Sequence, residues 1–267
     1  MSAIAQQPDA PILLREDDER GVVRLTLNRP NQFNSLSSEM LETLLGALDA
    51  IAADPKARVV VLAGAGKAFC AGHDLKEMRA NHAKAFHQGL FKLCTRVMMR
   101  IVSMPQPVIA RIHGIATAAG CQLVSMCDLA VSVDSARFAV SGINVGLFCS
   151  TPSVGLARNM GRKEAFEMLV TGEFVDAAEA QRRGLVNRVV PVEALDAEVG
   201  HLVEAILAKS PKAIAMGKEM FYRQMEMGLE AAYQYAGEVM ACNMMIDDAA
   251  EGIDAFIAKR KPNWKGA

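Results

Sequence analysis

The chain has 267 residues, 51% of them apolar, and its 29 basic and 30 acidic side chains leave a net charge of −1. That length and apolar share are enough to bury a large core in one domain, or in one main domain plus an appendage. The charge balance excludes the broad positive field of a nucleic-acid binder, so an anionic ligand must be met by local cations.

The N-terminal stretch MSAIAQQPDAPILLREDDERG has no basic segment followed by an apolar one, and no Arg-rich amphipathic pattern. No later apolar run reaches membrane-spanning length. The expected setting is cytoplasmic, with no membrane partner. Val22 to Leu27 alternates in polarity and reads as a strand closed by Asn28-Arg29-Pro30, because proline cannot continue a ladder. From Ser37 onward, Met40, Leu41, Leu44, Leu45, Leu48 and Ile51 fall at helical spacing, and the Asp54-Pro55 step ends that helix. Arg58 to Leu62, Val108 to Ile112 and Leu129 to Val133 are short apolar runs rich in β-branched residues, the pattern of strands covered on both faces. Helical stretches from Ala83 to Val102 and from Ala118 to Met126 separate them. This rhythm predicts an α/β fold with parallel strands joined by helical crossovers.

After about Ser150 the pattern becomes helix upon helix: Arg162 to Val170, Ala177 to Gly184, Val192 to Lys209, Pro211 to Met227 and Leu229 to Met245. Only Leu185 to Val190 still reads as a strand. We divide the chain into a core over 1–200 and a helical oligomerisation region over 201–267. The 16 methionines serve either as core filler or as an adaptable interface.

Two loops carry candidate chemistry. The first, Gly64 to Glu77 (GAGKAFCAGHDLKE), places Ala71 and Gly72 where a ligand approaches the backbone closely, then turns into a helix near Asp74. The second, His113 to Gln122 (HGIATAAGCQ), enters a helix at about Ala118, again with free first-turn amides able to receive an oxygen anion. Each loop alone is more often a packing solution than a site, and the combination of the two is more informative. His113 reads as structural. The six cysteines form no CxxC pair and no His lies at metal-ligand spacing, so reduced thiols and no metal are expected. Cys121, Cys149 and Ser150 lie near the loops or in the following segment, but no motif assigns them a base, so the cysteines read as buried hydrophobes.

The runs Leu27 to Met40 (LNRPNQFNSLSSEM), Gly66 to Met78, Pro107 to Val140 and Thr171 to Val190 resemble the crotonase, or enoyl-CoA hydratase/isomerase, family. They stand in that family's order from Gly21 to the closing FIAKRKPNW. The resemblance implies a crotonase-like spiral of β-β-α turns and a C-terminal helical region that trimerises, often into a dimer of trimers. It implies an acyl-CoA ligand, with CoA entering as part of the substrate and no other cofactor, and by family a lyase of fatty acid metabolism.

By the same resemblance, the backbone amides of His73 and Ala119 form an oxyanion hole for the thioester carbonyl. Phe33, Ala71, Asp74, Leu75 and Ile115 would line the CoA and acyl path. Lys76, Phe256 and Lys259, the last two from this or a neighbouring subunit, would meet the adenosine phosphates. The residue reading of Asp74 is a loop anchor that accepts amide hydrogen bonds.

The family's two catalytic glutamates map to Gln122 and Gly142, neither of which can accept and return a proton. Hydratase activity is therefore expected to be weak or absent, and a non-catalytic acyl-CoA binding or trimeric assembly protein is the alternative. His73 offers an imidazole near the thioester, or else simply caps or faces solvent. The segment from Gly146 to Ala157 lacks the family's usual PGxGG run, which suggests a remodelled pocket wall with Ser141 and Asn144 as polar contacts.

Overall fold

The structure, a computed structural model, describes residues 10–266. Residues 1–9, which carry part of the address reading above, lie outside the described residues. The chain begins with an antiparallel hairpin, β1 (Leu13–Asp17) and β2 (Val22–Leu27), in which Leu13 faces Leu27. Burial alternates along β2, with Val23, Leu25 and Leu27 inside. A short 3-10 turn at 30–32 leads to α1 (Ser38–Ala53). The Ser37 side chain accepts the Met40 N–H at 3.2 Å and caps that helix. Its leucines are buried as the spacing predicts, each stabilising the fold by roughly 1.5–3 kcal/mol.

The spiral follows. Its first turn is β3 (Val59–Gly64), β4 (Ala68–Cys70), then α2 (Leu75–Ala80) and α3 (Lys84–Ser103). The second is β5 (Val108–Ile112), β6 (Ile115–Thr117) and α4 (Ala119–Met126). The third is β7 (Leu129–Val133), β8 (Arg137–Ala139), α5 (Ser150–Asn159) and α6 (Arg162–Thr171). The chain then adds β9 (Val175–Asp176), α7 (Ala177–Arg182) and β10 (Arg188–Val190). Each turn gives one strand to each of two sheets: a six-stranded sheet ordered β1-β2-β3-β5-β7-β10 and a four-stranded one ordered β4-β6-β8-β9. β2, β3, β5, β7 and β10 are mutually parallel, as are β4, β6 and β8. This is the α/β spiral of β-β-α turns that the resemblance implies.

The helical tail consists of α8 (Leu195–Leu207), α9 (Pro211–Gln224), α10 (Leu229–Met244) and α11 (Asp247–Ile257). A buried ion pair ties it to the core. Lys218 Nζ on α9 lies 2.7 Å from Asp128 Oδ2 and also donates to the carbonyls of Ile101 and Gln106, both at 2.8 Å. Asp128 Oδ2 accepts the Val108 N–H, and Asp128 Oδ1 accepts the Tyr222 hydroxyl. Farther out the tail leaves large apolar side chains uncovered, including Leu229, Tyr233, Met240, Met245 and Phe256, the last 85% exposed. These methionines are therefore not core filler in the monomer, whereas Met40, Met98, Met104, Met160 and Met168 are.

Several elements differ from the sequence expectation. β1 and the helices α5 and α11 were not anticipated. The strand expected over Leu185 to Val190 narrows to Arg188–Val190, because Leu185 closes the turn after α7 through its N–H to Ala180 O.

Candidate active site

The two loops meet. Leu36 N–H donates to Gly72 O at 2.7 Å, Asp74 N–H to Leu36 O, and Ala71 N–H to Phe33 O, so the segment after β2 holds the first loop in place. That segment is itself fixed by Asn34, fully buried in a left-handed conformation, whose amide donates to the carbonyls of Ala65 and Ala68. Arg29 pairs with Asp74 at 3.0 Å, and the Asp74 carboxylate also accepts the N–H groups of Lys76 and Glu77 to cap α2. These contacts hold the Asp74 carboxyl below the usual carboxylate range against the opposing effect of burial.

The second loop joins the first across Gly72 and Gly120. A Cβ placed on Gly72, whose φ is +92°, would stand 3.2 Å from Ala119 N and 2.9 Å from Ala118 Cβ. One on Gly120 would stand 2.1 Å from Cys70 O, so only glycine lets α4 begin here. Thr117 Oγ1 donates to Ala71 O at 3.0 Å and pins the two loops together. Among the described residues, neither the His73 nor the Ala119 N–H has a backbone acceptor. Two unpaired amides thus flank one cavity of about 220 Å³, lined by Ala71, His73, Leu75, Ala118, Ala119, Ser141, Gly142 and Cys149 among others. A larger open depression of about 710 Å³ lies beside the end of α1 and the start of α9, but it contains neither loop.

Ala118 takes φ 49° and ψ −119°, a conformation that glycine accepts and alanine resists. Strain of this kind costs about 1–3 kcal/mol, only partly offset by the methyl group's packing. Ala118→Gly is expected to raise the melting temperature by about 1–3 °C. Thermal unfolding measures this, and a lowered midpoint would contradict the strain.

His73 neither caps a helix nor faces solvent. Its Nδ1 lies 3.3 Å from Leu36 O, so Nδ1 carries the proton, and its ring packs edge-on to Phe91 with centroids 5.5 Å apart. Burial lowers its pKa from the ordinary value, which keeps the imidazole neutral, and the enclosed Nε2 has no partner. His113 Nε2 donates to Gly66 O, 2.9 Å away, and is structural.

Of the other candidate residues, Ala71, Leu75 and Ser141 line the cavity, while Phe33, Asp74, Lys76 and Ile115 lie outside it. Phe256 and Lys259 sit at the far end of α11, with the Phe256 ring exposed. Asn144 does not reach the cavity; its amide contacts Gly172 O at 3.4 Å. Gln122 is buried in α4, and its Oε1 has no partner. Gly142 is closed in, because a Cβ there would lie 2.6 Å from both Cys149 Sγ and Leu147 O.

A profile of the Enoyl-CoA hydratase/isomerase family matches residues 17–267. The chain belongs to the enoyl-CoA hydratase/isomerase family. It is 46% identical over 246 residues to the Xenopus laevis protein named enoyl-CoA hydratase domain-containing protein 3, mitochondrial, an alignment covering 92% of this chain and 84% of the relative. The crystal structure of an enoyl-CoA hydratase from Mycobacterium smegmatis superposes with TM-score 0.95 at 62% identity, covering 96% of this chain and 99% of that one. The structure of human enoyl coenzyme A hydratase domain-containing protein 3 gives TM-score 0.92 at 41% identity, covering 95% and 100%. The segments AGHDLKE, ATAAGCQL and NVGLFCSTP resemble the pattern of proteins of this name, and the overall identities of 46% and 41% bear that resemblance out.

The cytoplasmic expectation is corrected by these relatives. The Xenopus, mouse and human proteins of this name are all called mitochondrial. The expectation rested on a missing address pattern, and address information is read by a receptor from segments that the folded domain does not encode. Among the described residues no helix is long and apolar enough to cross a membrane.

Leu147, Phe148, Thr151 and Pro152 line the cavity from within the 146–157 segment that the sequence marks as a remodelled wall, whereas sequence reasoning missed Met78, Phe91 and Val145. Phe91 lies on α3 beside the buried Leu90 and carries no polar signal.

Proposed function

We propose that the chain binds an acyl-CoA thioester with its carbonyl oxygen between the His73 and Ala119 amides, and that it hydrates 2-enoyl thioesters weakly or not at all. The observation that supports this reading is the meeting of two unpaired N–H groups on one small cavity. Donors fixed before the reaction stabilise negative charge on the carbonyl oxygen, by roughly 3–4 kcal/mol each in mutational precedents. The carbonyl oxygen gains charge when the α-carbon becomes an enolate, so the cavity favours that state over the ground state. CoA serves here as part of the substrate, and no separate cofactor is invoked.

The alternative, a non-catalytic acyl-CoA binding or assembly protein, is favoured by one observation. Position 142, where hydratases of the family carry a glutamate, is sterically closed by Cys149 and Leu147. Both readings share a homotrimer or dimer of trimers, supported by the uncovered apolar side chains of α10 and α11. Both also share the same CoA contacts, with Lys76, Phe256 and Lys259 toward the phosphates, in a role within fatty acid metabolism.

Calorimetry with butyryl-CoA and longer acyl-CoAs tests the shared reading. Saturable heat with a dissociation constant below about 1 mM is expected, equivalent to about 4 kcal/mol of binding. No heat and no thermal shift across the panel would overturn it.

A further inference from the structure

Five of the cysteines are buried and Cys242 is exposed. Burial pushes the Cys70, Cys94 and Cys121 thiols up to about 12, which makes them inert packing groups. Cys149 differs because, among the described residues, it is the only cysteine that lines the cavity holding His73 and Ala119. It ends the loop before α5, and its sulfur fills the space that a side chain at 142 would need, 2.6 Å from an ideal Cβ there. The Gly142 backbone amide hydrogen-bonds the sulfur, opposing the upward push of burial on the thiol.

One further observation marks the place as one that expects a ligand: His73 lines the cavity with an enclosed Nε2 that has no hydrogen-bond partner. Gln122, 5% exposed with an unpartnered Oε1, lies one turn along α4 from Ala119 and is not part of the cavity lining. The family's two carboxylate positions are thus replaced by a neutral amide and, in the space of the second, by a thiol.

We propose that Cys149 is a covalent capture site for 2-enoyl thioesters, its sulfur adding to C3 of an acyl chain whose carbonyl oxygen rests between the His73 and Ala119 amides. The proposal rests on the thioester reading above. A sulfur lone pair forms the S–C3 bond, the C2=C3 pair becomes the enolate held by the two amides, and the thiol proton ends on C2. Nothing leaves, and no oxidant or reductant enters. Conjugate addition uses the same enolate stabilisation as hydration, but a sulfur nucleophile does not require a glutamate to activate water. Among the described residues, His73 is the only histidine lining the cavity and no carboxylate joins it there, so its neutral ring, with Nε2 unpartnered, is the group that carries the proton from sulfur to C2.

Intact-mass spectrometry after incubation with crotonyl-CoA tests this. The wild-type chain should gain one whole crotonyl-CoA, mapped by peptide analysis to Cys149, and should gain nothing from butyryl-CoA. Modification at Cys149 should outpace that at exposed Cys242 by at least about tenfold, because binding holds the reactants together. Cys149→Ser should abolish the adduct, and Cys242→Ser should keep it. A wild-type chain that binds butyryl-CoA by calorimetry yet gains no mass, or carries the mass on Cys242, overturns the capture site alone. A chain that shows neither binding nor adduct overturns the thioester reading, and the capture site falls with it.

Discussion

Crotonyl-CoA hydration is expected to run at least about 10⁴-fold more slowly here than in a hydratase with two catalytic glutamates. Water must be activated for attack on C3 while C2 receives a proton, and each positioned acid or base supplies about 10² to 10⁴ of the rate. Gln122 has no titratable proton, and Gly142 has no side chain. The structure also separates the two positions in how easily they would be restored. Glutamate is close in shape to glutamine, so Gln122→Glu fits the existing space and should raise hydration by up to roughly 10²-fold. Gly142→Glu should not help. Its Cβ would lie 2.6 Å from Leu147 O, a backbone atom, as well as from Cys149 Sγ, so the 147–149 segment must move. Overpacking of this kind costs about 1–3 kcal/mol. Steady-state hydration assays on the wild type and both variants decide the matter. A wild-type turnover comparable to that of a two-glutamate hydratase would contradict the account.

Asp128→Ala is expected to destabilise the fold by about 3–5 kcal/mol, the cost of stranding a buried charge. The Lys218 ammonium is almost fully enclosed, and burial lowers its pKa despite the opposing pull of Asp128. Removing the carboxylate leaves this cation, the Val108 N–H and the Tyr222 hydroxyl without their shared acceptor. Because Lys218 sits on α9 and Asp128 precedes β7, the cluster clamps the helical tail to the spiral, and its loss frees the elements that carry the uncovered apolar face. The melting temperature should fall by roughly 6–20 °C. The paired change Asp128→Leu with Lys218→Met should recover more than half of the loss, since well-packed apolar residues often replace a buried pair at little cost. Denaturant titration checks both, and a single variant within about 1 kcal/mol of wild type would show that the pair is dispensable.

The legible parts of the fold are those with a period or a continuous run. Val108 to Ile112 and Leu129 to Val133 match β5 and β7 residue for residue, because strands covered on both faces are mostly apolar, with Arg111 and Ser132 the exceptions. The second sheet was invisible to residue patterning: β4, β6 and β8 have three residues each and β9 has two, too few to display alternation. The family resemblance supplied that layer. Helix α5 was missed because Pro152 and Gly155 interrupt its pattern, although proline near a helix start costs little and Gly155 is required where Ser125 and Met126 press close.

The site shows the same division. Small residues before a helix start are a local signal, so the loops around His73 and Ala119 could be read from sequence. That Gly142 is walled in by Cys149 is a contact between residues seven apart across an irregular turn, and no spacing rule encodes it. For the His73 ring, the sequence leaves open an imidazole near the thioester or a capping or solvated group, because its acceptor, Leu36 O, lies 37 positions away in sequence.

The central claim is that two backbone amides hold and polarise a thioester carbonyl. The direct measurement is difference infrared spectroscopy of butyryl-CoA labelled with ¹³C at C1, bound to the protein and free in buffer. The account predicts a carbonyl stretch shifted to lower wavenumber on binding, because two fixed donors draw electron density onto oxygen more strongly than water does. A bound thioester whose carbonyl absorbs at the buffer position would contradict it.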